Sequence, residues 1–232
     1  MNHVICVHVG ERYGSEYVEK LYRGLKKHSS QPFTFTVLHD GKTYKGSEHM
    51  RMIAVEHYPF LHRNNLWWYK MQSFRDDVVL PGSNMLIDID TVIVGNVDKL
   101  WDYQPDRFVI IQDFNRQFNP AYARSNSSVI KFTESIAKEI DQRWREDPVH
   151  WSRKYRGDQD WFDGELKDMV RWPAPWIRSW KWEVYRGGQL HTHKQEYKRE
   201  DTVLDLQCSI LAFHGKPDPH EVDHDIIKQH WQ

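Results

Sequence analysis

Residues Met85-Leu86-Ile87-Asp88-Ile89-Asp90 are the most informative segment of the sequence, because a fully apolar run leads directly into two aspartates. Short apolar runs without alternation are typical of strands that are buried on both faces of a sheet. Comparable runs occur at residues 4–9, 108–111 and 210–213. Apolar strands that alternate with helical stretches predict an α/β fold in which helices cover the sheet.

Helical periodicity separates these strands. The spacing of Val18, Leu21 and Leu25 predicts a helix that Ser15 caps and that runs to about Lys27. Further helices are predicted at 64–78 and 133–144. Apolar and β-branched residues predict strands at 33–38, 92–94 and 128–132. No periodicity is evident between residues 172 and 193, so no element is predicted there.

Length and charge limit the classes of function. A chain of 232 residues with no obvious linker predicts a single domain over residues 1–232. The formal net charge of -1 offers no basic excess for nucleic acid. No run approaches the roughly 18 apolar residues that a membrane span requires. Cys6 and Cys208 lie within apolar runs and predict no disulfide, which favours a cytoplasmic location.

The paired aspartates Asp88 and Asp90 follow the end of a buried strand, where open α/β sheets place their ligands. Residues i and i+2 of an extended chain point to the same side. Two neighbouring carboxylates repel each other unless a cation neutralises them, and Mn²⁺ or Mg²⁺ binds carboxylate and phosphate oxygens together. The spacing therefore predicts a metal clamp for a diphosphate, with a backbone-capping turn as the structural alternative.

A phosphatase of the haloacid-dehalogenase type is one alternative function. Residues 88–92 match its loose nucleophile motif, in which the first aspartate attacks phosphorus, and Gly157-Asp158 with Asp163 resembles its distal metal motif. About 87 residues precede Asp88, although the nucleophile strand of that superfamily lies near the start of its domain. The residues before Gly157 also form no apolar strand.

A non-catalytic sugar-binding module is the second alternative. It is suggested by the tryptophan-rich segment at residues 172–182, in a chain that contains 11 tryptophans. Ordinary packing also accounts for large aromatic side chains. A lectin needs no diphosphate clamp, so metal-dependent nucleotide binding distinguishes it from the first interpretation.

Four segments carry a more specific signal. They are, in chain order, residues 85–101, Asn126-Ser127-Ser128-Val129-Ile130, Asp158-Gln159-Asp160 and Phe213-His214-Gly215-Lys216-Pro217. Together they resemble the GT-A nucleotide-sugar transferases, most closely glycosyltransferase family 8. Ser128 replaces the usual glycine of that family, and the histidine-glycine-lysine element lacks its usual spacer residues.

The resemblance implies a fold and an activity. The fold is a GT-A (Rossmann-like) single domain with a mixed, mostly parallel sheet flanked by helices. The activity is metal-dependent transfer of a hexose from a nucleotide-diphosphate donor, expected to be a UDP-sugar, to a hydroxyl of a glycan or other acceptor, with retention. No carboxylate nucleophile is obvious, so we expect the acceptor hydroxyl to attack from the side of the leaving group.

The resemblance also implies a metal site. Asp88, Asp90 and His214 would bind Mn²⁺ or Mg²⁺, and Lys216 would place a second cation on the leaving group. His214 and Lys216 have structural alternatives, as a strand-end histidine and a solvated loop lysine. With ordinary pKa values, His214 would titrate near 6.5 and the carboxylates near 4.

The remaining expected contacts are to the donor. Asp158 and Gln159 would bind the sugar hydroxyls, with Gln159 near the anomeric carbon, and both are the predicted catalytic residues. Asn126 would join them, Lys70 would face the donor and Tyr13 would stack on the base. The structural alternatives are a helix cap for Asp158, a surface position for Lys70 and loop packing for Tyr13.

Overall fold

The computed structural model describes residues 1–44, 47–61, 65–184, 204 and 206–232. The strands are β1 (Asn2–His8), β2 (Phe33–His39), β3 (Arg51–Ala54), β4 (Ser83–Ile87), β5 (Thr91–Ile93), β6 (Val109–Gln112), β7 (Ser125–Thr133), β8 (Val170–Arg171), β9 (Ile177–Ser179) and β10 (Ile210–Ala212). The α-helices are α1 (Glu16–His28), α2 (Asp98–Asp102), α3 (Glu134–Glu146), α4 (Pro148–Lys154), α5 (Asp158–Glu165) and α6 (Asp225–His230). The 3₁₀ helices are Ser47–His49, Leu66–Phe74, Phe114–Gln117, Ala174–Trp176 and Pro219–Glu221, and Trp180–Val184 is a π-helical turn.

Seven strands form the main sheet in the order β3-β2-β1-β4-β7-β6-β8. β7 runs antiparallel to both of its neighbours, whereas the other four neighbouring pairs are parallel. The predicted mixed, mostly parallel sheet is therefore confirmed. A second sheet has the order β5-β10-β9, in which β10 is antiparallel to β5 and parallel to β9.

Helices cover the main sheet on both faces, as the apolar strands predict. Met85 and Ile87 of β4 pack in the same cluster as Val18 of α1, while Leu86 packs on the opposite face with Trp68. All of these side chains are buried. Burying such a side chain contributes about 1.5–3 kcal/mol, which explains why the second half of β4, Met85 to Ile87, is apolar on both faces of the sheet.

Most predicted elements are confirmed, with two local corrections. The Thr133 side chain caps α3 by accepting a hydrogen bond from the amide of Ile136, whereas the side chain of Ser15 makes no cap hydrogen bond to α1. The helix predicted at 64–78 is a 3₁₀ helix over Leu66–Phe74, and residue 64 lies outside the described residues. It is apolar on most sides because it is buried beneath α3.

The unpredicted region at 172–193 contains β9 and the π-helical turn, and its residues 185–193 lie outside the described residues. No helix in the described part of the chain is long and apolar enough to cross a membrane.

The sheet brings distant residues to one edge. Ile87 at the end of β4 lies opposite Val129, and the amide of Asp88 donates to the carbonyl of Ser128 at 2.9 Å. Because β7 is antiparallel to β4, its first residues lie beside the end of β4. The carboxyl ends of β1 and β4 therefore meet the beginning of β7.

Candidate functional site

The two aspartates lie in a turn. The amide of Thr91 donates to the carbonyl of Asp88 at 3.2 Å, so the chain leaves β4 in a turn rather than in the predicted extended conformation. Asp88 and Asp90 nevertheless line the same two cavities. Burial and the negative charge of Asp88 raise the pKa of Asp90 to about 7, so the expectation that it titrates near 4 was wrong.

Lys70 lies in the site and is not a surface residue. Its Nζ is 2.7 Å from Oδ1 of Asp88, 3.0 Å from Oγ of Ser127 and 3.8 Å from Oδ2 of Asp158. Burial opposes the charge of Lys70, but the carboxylates of Asp88 and Asp158 outweigh it and raise its pKa above the ordinary value. The ammonium therefore stays charged and holds the two carboxylates together.

The predicted sugar-binding residues gather around the beginning of β7. The amide of Ser127 donates to Oε1 of Gln159 at 3.0 Å, and the amide of Ser128 donates to Oδ1 of Asn126 at 3.0 Å. Asp158 is the first residue of α5 and only 4% exposed, and its Oδ2 has no hydrogen-bond partner among the described residues. A buried acceptor without a partner is costly, and a ligand hydroxyl would satisfy it.

Two adjoining cavities open at this edge, with volumes of about 670 Å³ and 450 Å³. They share Trp67, Lys70, Asp88 and Asp90, so the aspartates lie where the two cavities meet. The larger cavity is mainly polar and is lined by Asp113, Asn126, Ser127, Asp158 and Gln159. The smaller one is lined mainly by apolar and aromatic side chains, among them Val7, Val9, Tyr13, Leu66 and Ile89.

Tyr13, which was expected to stack on the base, lines the smaller cavity. Its hydroxyl donates to Oδ2 of Asp90 at 2.9 Å, and its ring lies 4.5 Å from the ring of Tyr17. The guanidinium of Arg12 lies 4.8 Å from the ring centre of Tyr13. Tyr13 is thus joined to the aspartate pair, a contact that the sequence did not predict.

His214 lines the larger cavity but is firmly packed. Its Nε2 is 2.7 Å from Oγ of Ser179, and its ring stacks on Phe114 with ring centres 5.0 Å apart. Burial, with a smaller contribution from the charge of Lys181, lowers the pKa of His214 to about 3. The expected titration near 6.5 was therefore wrong, and the imidazole is neutral throughout the physiological range.

Asp88, Asp90 and His214 do not form a preassembled site. In the described ranges no three histidine, cysteine or acidic side chains are close enough together to hold a metal ion. The aspartate pair by itself fits a cation, because the charge of Asp88 opposes ionisation of Asp90 and a divalent ion would relieve that repulsion. Because Nε2 of His214 bonds Ser179, Nδ1 is the ring nitrogen that could bind a metal ion.

Lys216 does not line either cavity. Its Nζ is 2.8 Å from Oδ2 of Asp218 and 2.6 Å from Oε1 of Glu221. Lys181, which the sequence did not single out, lines the larger cavity instead.

Comparison with solved structures identifies the fold. An active-site mutant of LgtC superposes with a TM-score of 0.70 at 14% identity, covering 98% of this chain and 93% of that one. The chain has the GT-A glycosyltransferase fold. GlyE of Streptococcus pneumoniae matches with a TM-score of 0.65 at 13% identity, over 94% of this chain and 56% of that one.

Mouse xyloside xylosyltransferase 1 shares the fold more distantly. Its TM-score is 0.55 at 12% identity, over 93% of this chain and 98% of that chain. No protein-family model matches the sequence, and no curated protein matches it. The GT-A likeness therefore rests on three-dimensional structure.

The alternative functions find little support in this GT-A structure. Asp158 begins helix α5 and does not end a strand, and Asp163 bonds Ser125 outside both cavities, unlike a phosphatase metal ligand. Trp172 and Trp180 of the tryptophan-rich segment are buried in the protein core, so these two rings are not available to bind a sugar.

Several residues of the site, including Asp113 and Arg156, were missed from the sequence. Trp67 is 42% exposed and lines both cavities, Ser127 bonds Lys70 and Gln159, and Lys181 lines the larger cavity. Ser127 lies within the segment that resembles family 8 and was detectable there. No local pattern distinguished the exposed Trp67 from its buried neighbour Trp68.

Proposed function

We propose that residues 1–232 form one GT-A domain of the family 8 type that transfers a hexose from a UDP-sugar to an acceptor hydroxyl. The observation that carries this proposal is the position of Asp88 and Asp90 at the junction of an apolar cavity and a polar cavity. A nucleotide-sugar has the same three parts in the same order, because its diphosphate lies between an aromatic base and a polyhydroxyl sugar.

The smaller cavity would hold the nucleoside, with the base against Tyr13. The larger one would hold the sugar, since carboxylate and amide groups match hydroxyls that both donate and accept. Asp158 offers Oδ2, which accepts no hydrogen bond from the described residues, and Asn126 and Gln159 line the same cavity. The diphosphate would then lie beside Asp88, Asp90 and Lys70.

Charge favours a metal cofactor. Five aspartates but only three basic side chains line the larger cavity, which would repel a diphosphate unless a cation accompanied it. Asp88 and Asp90, with His214 as third ligand, would hold Mn²⁺ or Mg²⁺. The bound ion would act as a Lewis acid that neutralises charge on the departing diphosphate.

The chain's own side chains would bind and orient the donor. Lys70 is held by Asp88 and Asp158, so it fixes the carboxylates on either side of the reacting centre. Gln159 is held by the amide of Ser127 and would face the anomeric carbon. With no carboxylate assigned as a nucleophile, the acceptor hydroxyl would attack from the leaving-group side, which retains the anomeric configuration.

The acceptor is proposed to be a glycan or another hydroxyl compound. One LgtC structure was determined with donor and acceptor sugar analogues, which supports an acceptor site beside the donor in this fold. Cys6 and Cys208 are buried and not bonded to each other, which is consistent with the proposed cytoplasmic location.

Thermal unfolding with UDP and GDP, each with and without Mn²⁺, tests the proposal. We expect UDP to stabilise the protein only with Mn²⁺, by about 2.7 kcal/mol at 100 times its dissociation constant. Asp90→Ala should abolish this effect, and Asp106→Ala, at an exposed position away from both cavities, should not. If GDP stabilised the protein and UDP did not, or if neither nucleotide stabilised it, the assignment of the donor would be contradicted.

A further inference from the structure

Lys181 reaches the larger cavity through the pairing of two short strands. β9 and β10 are parallel, with Ser179 opposite Ala212, so the segments that follow them leave the sheet at the same edge. Lys181 and Gly215 meet there, and a Cβ on Gly215 would lie only 3.2 Å from Nζ of Lys181. Gly215 also has a φ of +74°, which favours glycine. The backbone at Gly215 therefore leaves room for the amine.

Lys181 differs from the other basic side chains of the cavity in its charge environment. Lys70 pairs with Asp88, and Arg156 pairs with Asp160 at 2.7 Å. Among the described residues, Lys181 makes no ion pair and no side-chain hydrogen bond, and its ammonium only lies 5.4 Å from the ring centre of Trp182. Burial lowers the pKa of Lys181, and no carboxylate of the described residues opposes this effect.

An uncompensated, half-buried ammonium is costly, and an anionic ligand would remove that cost. The position of Lys181 indicates which part of the ligand it meets. It lines the larger, sugar-side cavity and not the smaller, nucleoside-side cavity. The phosphate of a nucleoside diphosphate that lies nearest the sugar side is the β-phosphate.

We propose that Lys181, rather than Lys216, binds the β-phosphate of the donor and stabilises charge on the leaving group. This inference rests on the proposed function. Lys216 is already neutralised by Asp218 and Glu221 and lies outside the cavity. An ammonium acts as a mobile point charge with three donors, and it contributes most where negative charge develops during the reaction.

In the proposed reaction one bond to the anomeric carbon breaks and another forms. The bond between the anomeric carbon and the β-phosphate oxygen breaks, and its electron pair stays on that oxygen beside Lys181. The acceptor oxygen forms a bond to the anomeric carbon, and its proton passes to the diphosphate. Lys181 stays protonated throughout, so it stabilises charge without transferring a proton.

Calorimetric titration of UDP and of UMP, both with Mn²⁺, tests the inference on the full chain. Lys181→Met keeps the length of the side chain and removes the charge, and Lys216→Met is the matched control. We expect Lys181→Met to weaken UDP binding roughly 10- to 100-fold, since hydrogen bonds to charged groups have that strength. UMP binding should be unchanged, Lys216→Met should resemble wild type, and Lys181→Arg should restore most of the UDP affinity.

Several results would overturn the inference. Wild-type UDP affinity in Lys181→Met, an equal loss for UMP and UDP, or a larger loss in Lys216→Met would each do so. If Lys181→Met unfolds, loss of UDP affinity in a folded Lys181→Arg would count against the assignment and full affinity would support it. A wild-type protein that binds no nucleotide would instead refute the proposed function itself.

Discussion

The hydroxyl of Tyr13 donates a hydrogen bond to Oδ2 of Asp90 at 2.9 Å, joining the loop after β1 to the turn after β4. This bond favours the ionised carboxylate, whereas burial and the charge of Asp88 favour the protonated one. The result is a pKa for Asp90 of about 7. The proposed metal ligand therefore changes charge near neutral pH.

Metal binding should depend on pH through Asp90. A proton on Asp90 competes with the metal, so Mn²⁺ affinity in the presence of UDP should fall as pH decreases through about 7. Below that midpoint a single competing proton lowers affinity about tenfold per pH unit. Tyr13→Phe keeps the ring and removes the hydrogen bond, so it should move the midpoint up by about one unit. Titration of Mn²⁺ into the protein in the presence of excess UDP, at several pH values, measures the midpoint, and an unchanged midpoint in Tyr13→Phe would contradict this account.

Lys70 should be essential for stability as well as for the site. Its side chain is 14% exposed, and those of Asp88 and Asp158 are 21% and 5% exposed. Lys70→Met leaves these carboxylates without their cation, which should lower the free energy of unfolding by about 3–5 kcal/mol. Lys26→Met, at an exposed position of α1, is the control and should be nearly neutral. Urea denaturation without metal compares them, and equal midpoints would mean that Lys70 is dispensable for folding.

Gln159 should matter for turnover and not for nucleotide binding. Its Oε1 is held by the amide of Ser127, on the sugar side of the aspartate pair. We expect Gln159→Ala to lower kcat roughly hundredfold while UDP affinity stays within about twofold, since loss of kcat alone indicates an interaction made during the reaction. The exposed Gln229→Ala is the control. Parallel loss of UDP affinity would place Gln159 in the nucleotide site or in the structural core.

His214 should reveal its role through comparison with Ser179. If His214 binds the metal, His214→Ala should weaken Mn²⁺ binding in the presence of excess UDP by more than tenfold. Ser179→Ala removes the hydrogen bond to Nε2, together with one from the amide of Trp182, and should have a smaller effect of the same sign. Wild-type Mn²⁺ affinity in both variants would make His214 a packing residue between Phe114 and Trp182. Circular dichroism must first establish that both variants are folded.

The fold could be predicted from the sequence wherever burial leaves a local pattern. β4 is apolar at positions facing both sides of the sheet, and α1 shows helical periodicity because only one face is buried. The helix at Leu66–Phe74 was harder, because a segment buried on most sides has no polar face to reveal its period. It packs against α3, which is distant in sequence.

The site was predicted in part for the same reason. Asp88, Asn126 and Asp158 were found because each lies in a short recognisable segment, and the structure brings them to one edge. Lys181 and Lys216 could not be ranked from the sequence, because their charge partners depend on tertiary contacts. Asp218 and Glu221 neutralise the second lysine, and nothing in the described part of the chain neutralises the first.

The antiparallel direction of β7 has a consequence for mutational tolerance. Ile87 faces Val129 in the ladder, and the same ladder sets where Asn126 and Ser127 lie relative to Asp88. A strand that slips by one residue turns every side chain to the opposite face. Deleting one residue from the middle of β7 would thus displace Asn126 and Ser127 relative to Asp88 even if the sheet still formed. A substitution in β7 would change only the side chain at that position. The register between β4 and β7 therefore fixes the position of the proposed sugar-binding residues relative to the proposed metal ligands.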